Sequence, residues 1–189
     1  MKAYHLLLTV FLISSFTIGG GWTQTRVSPH RTAPVVTVDF PAKPELQWTK
    51  RERTYSTRTP DANFEVTVQP LPENIELTQE KQKAVIDQKI KNQLKKIDDL
   101  VFGDVTFRAD IELLDSTSHH RASVPIREVQ YRVTRTRTPL PTTESSMHFD
   151  GFFIVGRALY IVSCTLASAE TEELRKQREQ FFRSISISE

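Results

Sequence analysis

The chain reads as a layered α+β domain, two helices packed on a largely antiparallel sheet. Three observations predict it. Apolar and polar residues alternate in repeated runs, as in Phe64, Val66 and Val68, and again from Val105 to Leu113, the period-two mark of half-buried strands. Two segments, following Thr78 and Ser168, carry apolar residues at helical spacing. Short links join most of the strands, which favours antiparallel pairing. The expected order is βββαββββα, and the helices must bury their apolar stripes on the sheet.

The chain opens with a targeting segment. Met1-Lys2 gives a positive start, Tyr4 to Ile18 is almost entirely apolar, and Gly19-Gly20-Gly21 supplies small residues for a signal peptidase. Residues 1–21 therefore read as a secretory signal peptide. The apolar run falls short of the ~20 residues of a comfortable membrane span, and an uncleaved N-terminal anchor is the competing reading. Residues 22–34 hold few apolar side chains and two prolines, so they read as a flexible linker. One globular domain is expected over 35–189.

Within that domain, Val35–Phe40 is strand-like and stops at Pro41. Trp48–Thr57 reads as one polar strand carrying Lys50, Arg51 and Arg53, on an edge or a solvated face. Phe64–Val68 follows the turn Asp61-Ala62-Asn63 and ends before Pro70. Thr78–Asp98 is the clearest helix: Thr78 can cap it, Glu80 suits the dipole, and Val85 or Ile86, Ile90, Leu94 and Ile97 form one stripe. Gly103 marks its exit. Val105–Leu113 is the next strand, Asp115–Ser123 a polar loop, and Pro125–Thr136 a strand with Val129, Tyr131 and Val133 on one face. Thr138–Thr143 connects onward. Ser145–Val155 and Ala158–Leu166 flank Gly156-Arg157, a two-residue connection suited to a II′ hairpin. Asp150-Gly151 reads as a bulge in the first of these strands. Phe152–Val155 lacks alternation and is expected to be covered on both faces. Ser168–Phe182 is the second helix, with Ser168 as cap, and Ser184–Ile187 an extended tail.

Bulk properties limit the function. Lys plus Arg total 25 and Asp plus Glu 23, so no basic excess supports nucleic-acid binding driven by bulk charge. Cys164 is the only cysteine. It cannot form an intramolecular disulfide, it is no lipidation site at the cut, and its strand-like surroundings read as buried and inert. These features point to a soluble exported protein, most simply periplasmic in a Gram-negative bacterium. Periplasmic retention and full secretion remain alternatives.

Three stretches carry a resemblance: Val36-Thr37-Val38-Asp39-Phe40-Pro41, the hairpin Gly156 to Val162, and the ending Phe181-Phe182-Arg183-Ser184-Ile185-Ser186-Ile187. With the order of elements, they make the region from Val35 to Ile187 resemble the PsbP/Mog1-like domains. The resemblance implies a three-layer α/β/α sandwich around the antiparallel sheet. It also implies a binding or accessory role in an assembly, since the family's members mostly act so. Its motifs are structural, and no functional residue carries over from the photosystem members.

Candidate chemistry is sparse. His119-His120 stands out, yet neighbours in an extended segment point apart, so a metal would need further ligands such as His148 and Asp150. Asp110 and Glu112 share one strand face, which solvent exposure explains. No Gly-x-Ser-x-Gly, Ser-x-x-Lys set, His-Glu-x-x-His or phosphate loop occurs. No catalytic residue, cofactor or metal is therefore assigned. The remaining lead is basic: Lys50, Arg51 and Arg53 on one strand and Arg132, Arg135 and Arg137 on another. As neighbours they would form a cationic surface for another envelope protein or an anionic ligand. The expected function is that of an exported, non-enzymatic binding or accessory protein. The alternatives are a periplasmic carrier of an apolar or anionic small molecule, with a cavity between Phe149–Phe153 and the first helix, and an enzyme of unrecognised type in which His148, Asp150 or His119 converge.

Overall fold

A computed structural model of the chain describes residues 21–27, 35–74, 76–95, 97–102, 105–121, 123–138, 142–167 and 169–188. Most of the expected signal segment (1–20), the remainder of the expected linker (28–34), Gly103 and Ser168 lie outside the described residues. The elements run β1 (Thr23–Val27), β2 (Val35–Phe40), β3 (Glu45–Trp48), β4 (Arg53–Arg58), β5 (Ala62–Pro70), α1 (Gln79–Gln93), β6 (Ile97–Phe102), β7 (Val105–Arg121), β8 (Val124–Thr138), β9 (Thr142–Val155), β10 (Ala158–Leu166), α2 (Glu172–Arg183) and β11 (Ser186–Ser188). Eight of the strands form an antiparallel sheet in the order β3-β4-β5-β10-β9-β8-β7-β6, and three form a small sheet, β1-β2-β11.

Strand alternation sorts the core into two halves. Phe64, Val66, Val68, Phe153, Tyr160, Val162 and Cys164 face the small sheet and α2. Val129, Tyr131, Val133, Phe152, Ile154, Leu159 and Ile161 face Ile86 and Ile90 of α1 and Leu94, its C-cap. Phe152–Val155 is buried throughout because consecutive residues enter opposite halves. The fold is the expected α+β sandwich, with the helices on opposite faces of the large sheet.

The stretches that carried the resemblance meet in space. β11 pairs with β2, and Ser184 Oγ accepts the Asp39 N–H at 2.8 Å while donating to the Phe181 carbonyl at 2.7 Å. The end of α2 is thereby tied to the opening strand. Cys164 is fully buried among apolar neighbours, and burial pushes its thiol up to about 12, so it packs as a small apolar residue.

Several elements differ from expectation, each for a local reason. Thr23–Val27, assigned to the linker 22–34, pairs with β2 instead, and Val27 is fully buried in the core. Alternation over so few residues does not show before the partner strand is known. Trp48–Thr57 is not one strand: Thr49 breaks it, its N–H donating to the Glu52 carbonyl at 2.8 Å. The loop Asp115–Ser123 is instead the outer part of β7, paired through Arg121; its backbone bonds are met by β8 while solvent takes its polar side chains. α1 ends at Gln93, and Ile97 starts β6. Thr171 caps α2 at the Leu174 N–H. Asp150 and Gly151 pair in unbroken register with Ser163 and Val162, so no bulge forms there.

Gly156 occupies the hairpin turn with φ 57°, as the II′ reading requires. A side chain at this φ is strained. Gly156→Ala should lower the unfolding free energy by about 1 kcal/mol, measured by urea denaturation, with the fold retained.

Candidate functional site

The long β7–β8 hairpin rises beside the second half of α2 and leaves a groove of about 310 Å³ between them. Asp115 and Gln130 are cross-strand partners, as are Thr117 and Glu128, so these side chains share the face turned toward α2. From the helix come Arg178, Glu179, Phe182 and Arg183, one turn apart and on one side. The Arg178 guanidinium lies 4.1 Å from the Phe149 ring centroid and bonds Glu170 at 2.7 Å. Glu179 pairs with Arg175 at 2.9 Å and with Arg183 at 3.0 Å. Arg121, from the hairpin, donates to the carbonyls of Phe182, Arg183 and Ile185 at 2.7, 3.1 and 2.9 Å. Phe182 and Arg183 belong to the last turn of α2, whose carbonyls lack a full set of intrahelical partners, so Arg121 closes the end of α2 and holds the hairpin against it. The groove offers two aromatic rings and charges of both signs.

A second polar constellation lies under the end of α1. Asp150, 2% exposed, accepts from Gln93 Nε2 at 2.6 Å and from Tyr131 Oη at 2.8 Å. Ser163 on β10 also hydrogen-bonds it. Burial, opposed by the bonds from Ser163 and Tyr131, lifts the Asp150 carboxyl to about 6. Burial, reinforced by Asp150, raises the Tyr131 phenol far above its ordinary value. His148 stacks on Tyr131, centroids 4.8 Å apart and rings 11° from parallel. Its ring nitrogens meet Ser146 Oγ at 2.9 Å and Thr165 Oγ1 at 3.2 Å. Burial, aided by the Arg135 charge, lowers it to about 4. The network pins the last turn of α1 to the middle of the sheet.

The basic residues do not form one surface. Lys50 and Arg51 sit in the turn between β3 and β4, and Arg53 opens β4. Three strands, β5, β10 and β9, separate β4 from β8, placing the two groups about 19 Å apart at ~4.8 Å per strand. Arg132 also faces the side opposite Arg135 and Arg137, since residues of opposite parity on β8 alternate, and it pairs with Glu112 at 2.9 Å. His119 and His120 are strand neighbours, with His119 3.7 Å from Glu128. His148 and Asp150 meet at Tyr131, far along the sheet from both. Among the described residues no group of three or more His, Cys, Asp or Glu converges as a metal site. Among the described residues, Phe149–Phe153 does not gather on the α1 side, where a cavity was expected: Phe149 and Phe153 belong to the core on the α2 side and Phe152 to that on the α1 side.

Sequence reasoning missed Arg121, Arg178 and Gln93. One signal was readable: Asp150 is the sole charge within a run of apolar residues and glycine from Phe149 to Val155, and such a charge needs partners.

No family model and no curated protein matches the chain. Among solved structures, the cyanobacterial PsbP (CyanoP) of Synechocystis is similar at a TM-score of 0.53 and 14% identity, over 93% of this chain and 98% of that one. A Pseudomonas aeruginosa protein of unknown function gives a TM-score of 0.41 and 13% identity, over 85% and 95%. At 14% identity over nearly the full length of both chains, what is shared is the fold, which is PsbP-like.

Proposed function

We propose that the chain is an exported, non-enzymatic binding or accessory protein that holds its partner in the groove between α2 and the β7–β8 hairpin. The groove itself supports this reading. It carries charges of both signs, with Glu179 paired to Arg183 at 3.0 Å, and two rings, Phe149 and Phe182, lie among them. Aromatic and arginine side chains in a concave setting suit a polypeptide segment of another envelope protein. Asp150, His148 and Tyr131, whose titration is strongly displaced, are committed to one another on the other face of the sheet. Export follows from residues 1–21, and a cut after Gly21 would leave Trp22 and β1 on the core they pack against. Lys50, Arg51 and Arg53 enter the proposal as one cationic patch, Arg135 and Arg137 as a second, and Arg132, on the opposite face and paired with Glu112, by itself.

A photo-crosslinking residue at Thr117, in the groove, tests the reading against one at Thr142, beside Arg137 at the far end of β9. The expected result is one adduct from Thr117 and none from Thr142. An adduct only from Thr142 would move the site to the Arg135 and Arg137 patch, and none from either position would remove the groove from the proposal.

A further inference from the structure

β3 is a four-residue strand at the end of the large sheet, exposed along its whole length. It carries the two most exposed large apolar side chains among the described residues, Leu46 at 53% and Trp48 at 77%. These share a face, opposite Tyr55 and Arg53 of β4. The turn that follows is well made: Thr49 Oγ1 accepts the N–H of Arg51 at 3.2 Å and of Glu52 at 3.1 Å. Lys50 and Arg51 therefore stand at the corner of the hairpin, and both are exposed. Glu52, which would cancel one charge, is turned back to accept from Gln69 on β5 at 2.6 Å.

We propose that the β3–β4 hairpin is a docking tip for an anionic lipid surface, with Trp48 and Leu46 seated at headgroup depth and Lys50 and Arg51 paired with lipid phosphates. Four features favour lipid. Tryptophan is amphipathic and settles at the membrane interface. Lysine and arginine at the same height add attraction to anionic headgroups. The element projects at a sheet edge, so it can enter a headgroup layer without rearranging the core. The exposed apolar area, two side chains, is small beside the ~800 Å² per partner of a standard protein interface. No described helix is long and apolar enough to cross a membrane, so this contact is peripheral. It uses a different part of the molecule from the α2 groove and stands or falls independently of it.

The test is vesicle binding by the full chain, read at Trp48 itself so that the apolar N-terminal segment does not enter the signal. Emission of the parent is compared with that of Trp48→Phe on vesicles of phosphatidylcholine with phosphatidylglycerol and on phosphatidylcholine alone. The difference signal should shift to the blue on anionic vesicles and be quenched by lipid brominated near the headgroup. Lys50→Gln with Arg51→Gln should weaken that response about 30-fold, from ~5-fold per charge, and added salt should weaken it further. Trp48→Ser should weaken co-sedimentation of the processed chain at least about tenfold. These sites are exposed, so the fold should be retained, checked by circular dichroism. No change at Trp48 on anionic vesicles, or an equal change on phosphatidylcholine alone, would overturn the proposal. So would concentration-dependent self-association abolished by Trp48→Ser, which would assign the edge to a second copy of the chain.

Discussion

Phe181→Ala should lower the unfolding free energy by about 3–5 kcal/mol, and the midpoint of thermal unfolding by roughly 10 °C for a domain of this size. The reason is position as much as area. Phe181 is fully buried, and its ring meets Phe40 of β2 at 5.3 Å and Phe64 of β5 at 5.2 Å, both edge to face. It is the point where α2, the small sheet and the large sheet touch together. Each ring pair adds about 0.5–1.5 kcal/mol beyond its area, and a cavity between three elements is poorly placed to collapse. Phe182, next in sequence, lines the groove and is only partly buried, so Phe182→Ala should cost clearly less. Chemical denaturation of both variants decides it. Equal losses, or a loss below about 1 kcal/mol at Phe181, would show that α2 is not docked through this ring.

The contrast between these neighbours shows what could be read from the sequence. Leu174 and Phe181 were assignable to packing from their spacing in an amphipathic helix, and both are buried, as is Ile185 just beyond it. The β9–β10 hairpin was legible because Gly156-Arg157 separates two apolar runs and because a glycine with positive φ is a local requirement. Local signals failed where the deciding partner was distant. Thr23–Val27 is too polar and short to announce a strand, and it becomes one because β2 offers backbone partners. The outer half of β7 looked like a loop because composition reports exposure, whereas strand pairing depends on β8.

The candidate groove was less accessible still. Its floor and walls come from Asp115, Thr117, Phe149 and Arg178, which no spacing rule connects. The basic strands illustrate the reverse error. Three arginines on one strand looked like one patch, but Arg132 has opposite parity to Arg135 and Arg137, and the pleat sends it to the other face.

Asp150 and His148 set the second large effect, a stability profile in which two opposing titrations conceal each other. The carboxyl of Asp150 has a folded value of about 6 against 3.8 in the open chain. The folded state thus holds that proton more tightly, so its contribution is greatest in acid and is lost as pH rises through about 6. Two units correspond to about 3 kcal/mol at 1.36 kcal/mol per unit. His148 runs the other way. Its folded value is about 4 against 6.5, so its contribution is present in neutral solution and is lost as pH falls toward 4. Discounted for partial exposure, this amounts to about 1–2 kcal/mol. The windows overlap, and the wild-type curve between about pH 4 and 7 should therefore be shallow. Asp150→Asn keeps an oxygen to accept from Tyr131 and Gln93 and removes the carboxyl titration. Its stability should then rise with pH over this range, and its advantage over wild type should grow by about 3 kcal/mol from pH 4 to pH 8. His148→Gln should show the opposite slope, falling as pH rises. Urea denaturation across that range reads both slopes. A profile for Asp150→Asn parallel to wild type would mean that the carboxyl does not hold its proton beneath α1. The bonds from Ser163 and Tyr131 would then offset the cost of burying the ionised carboxylate.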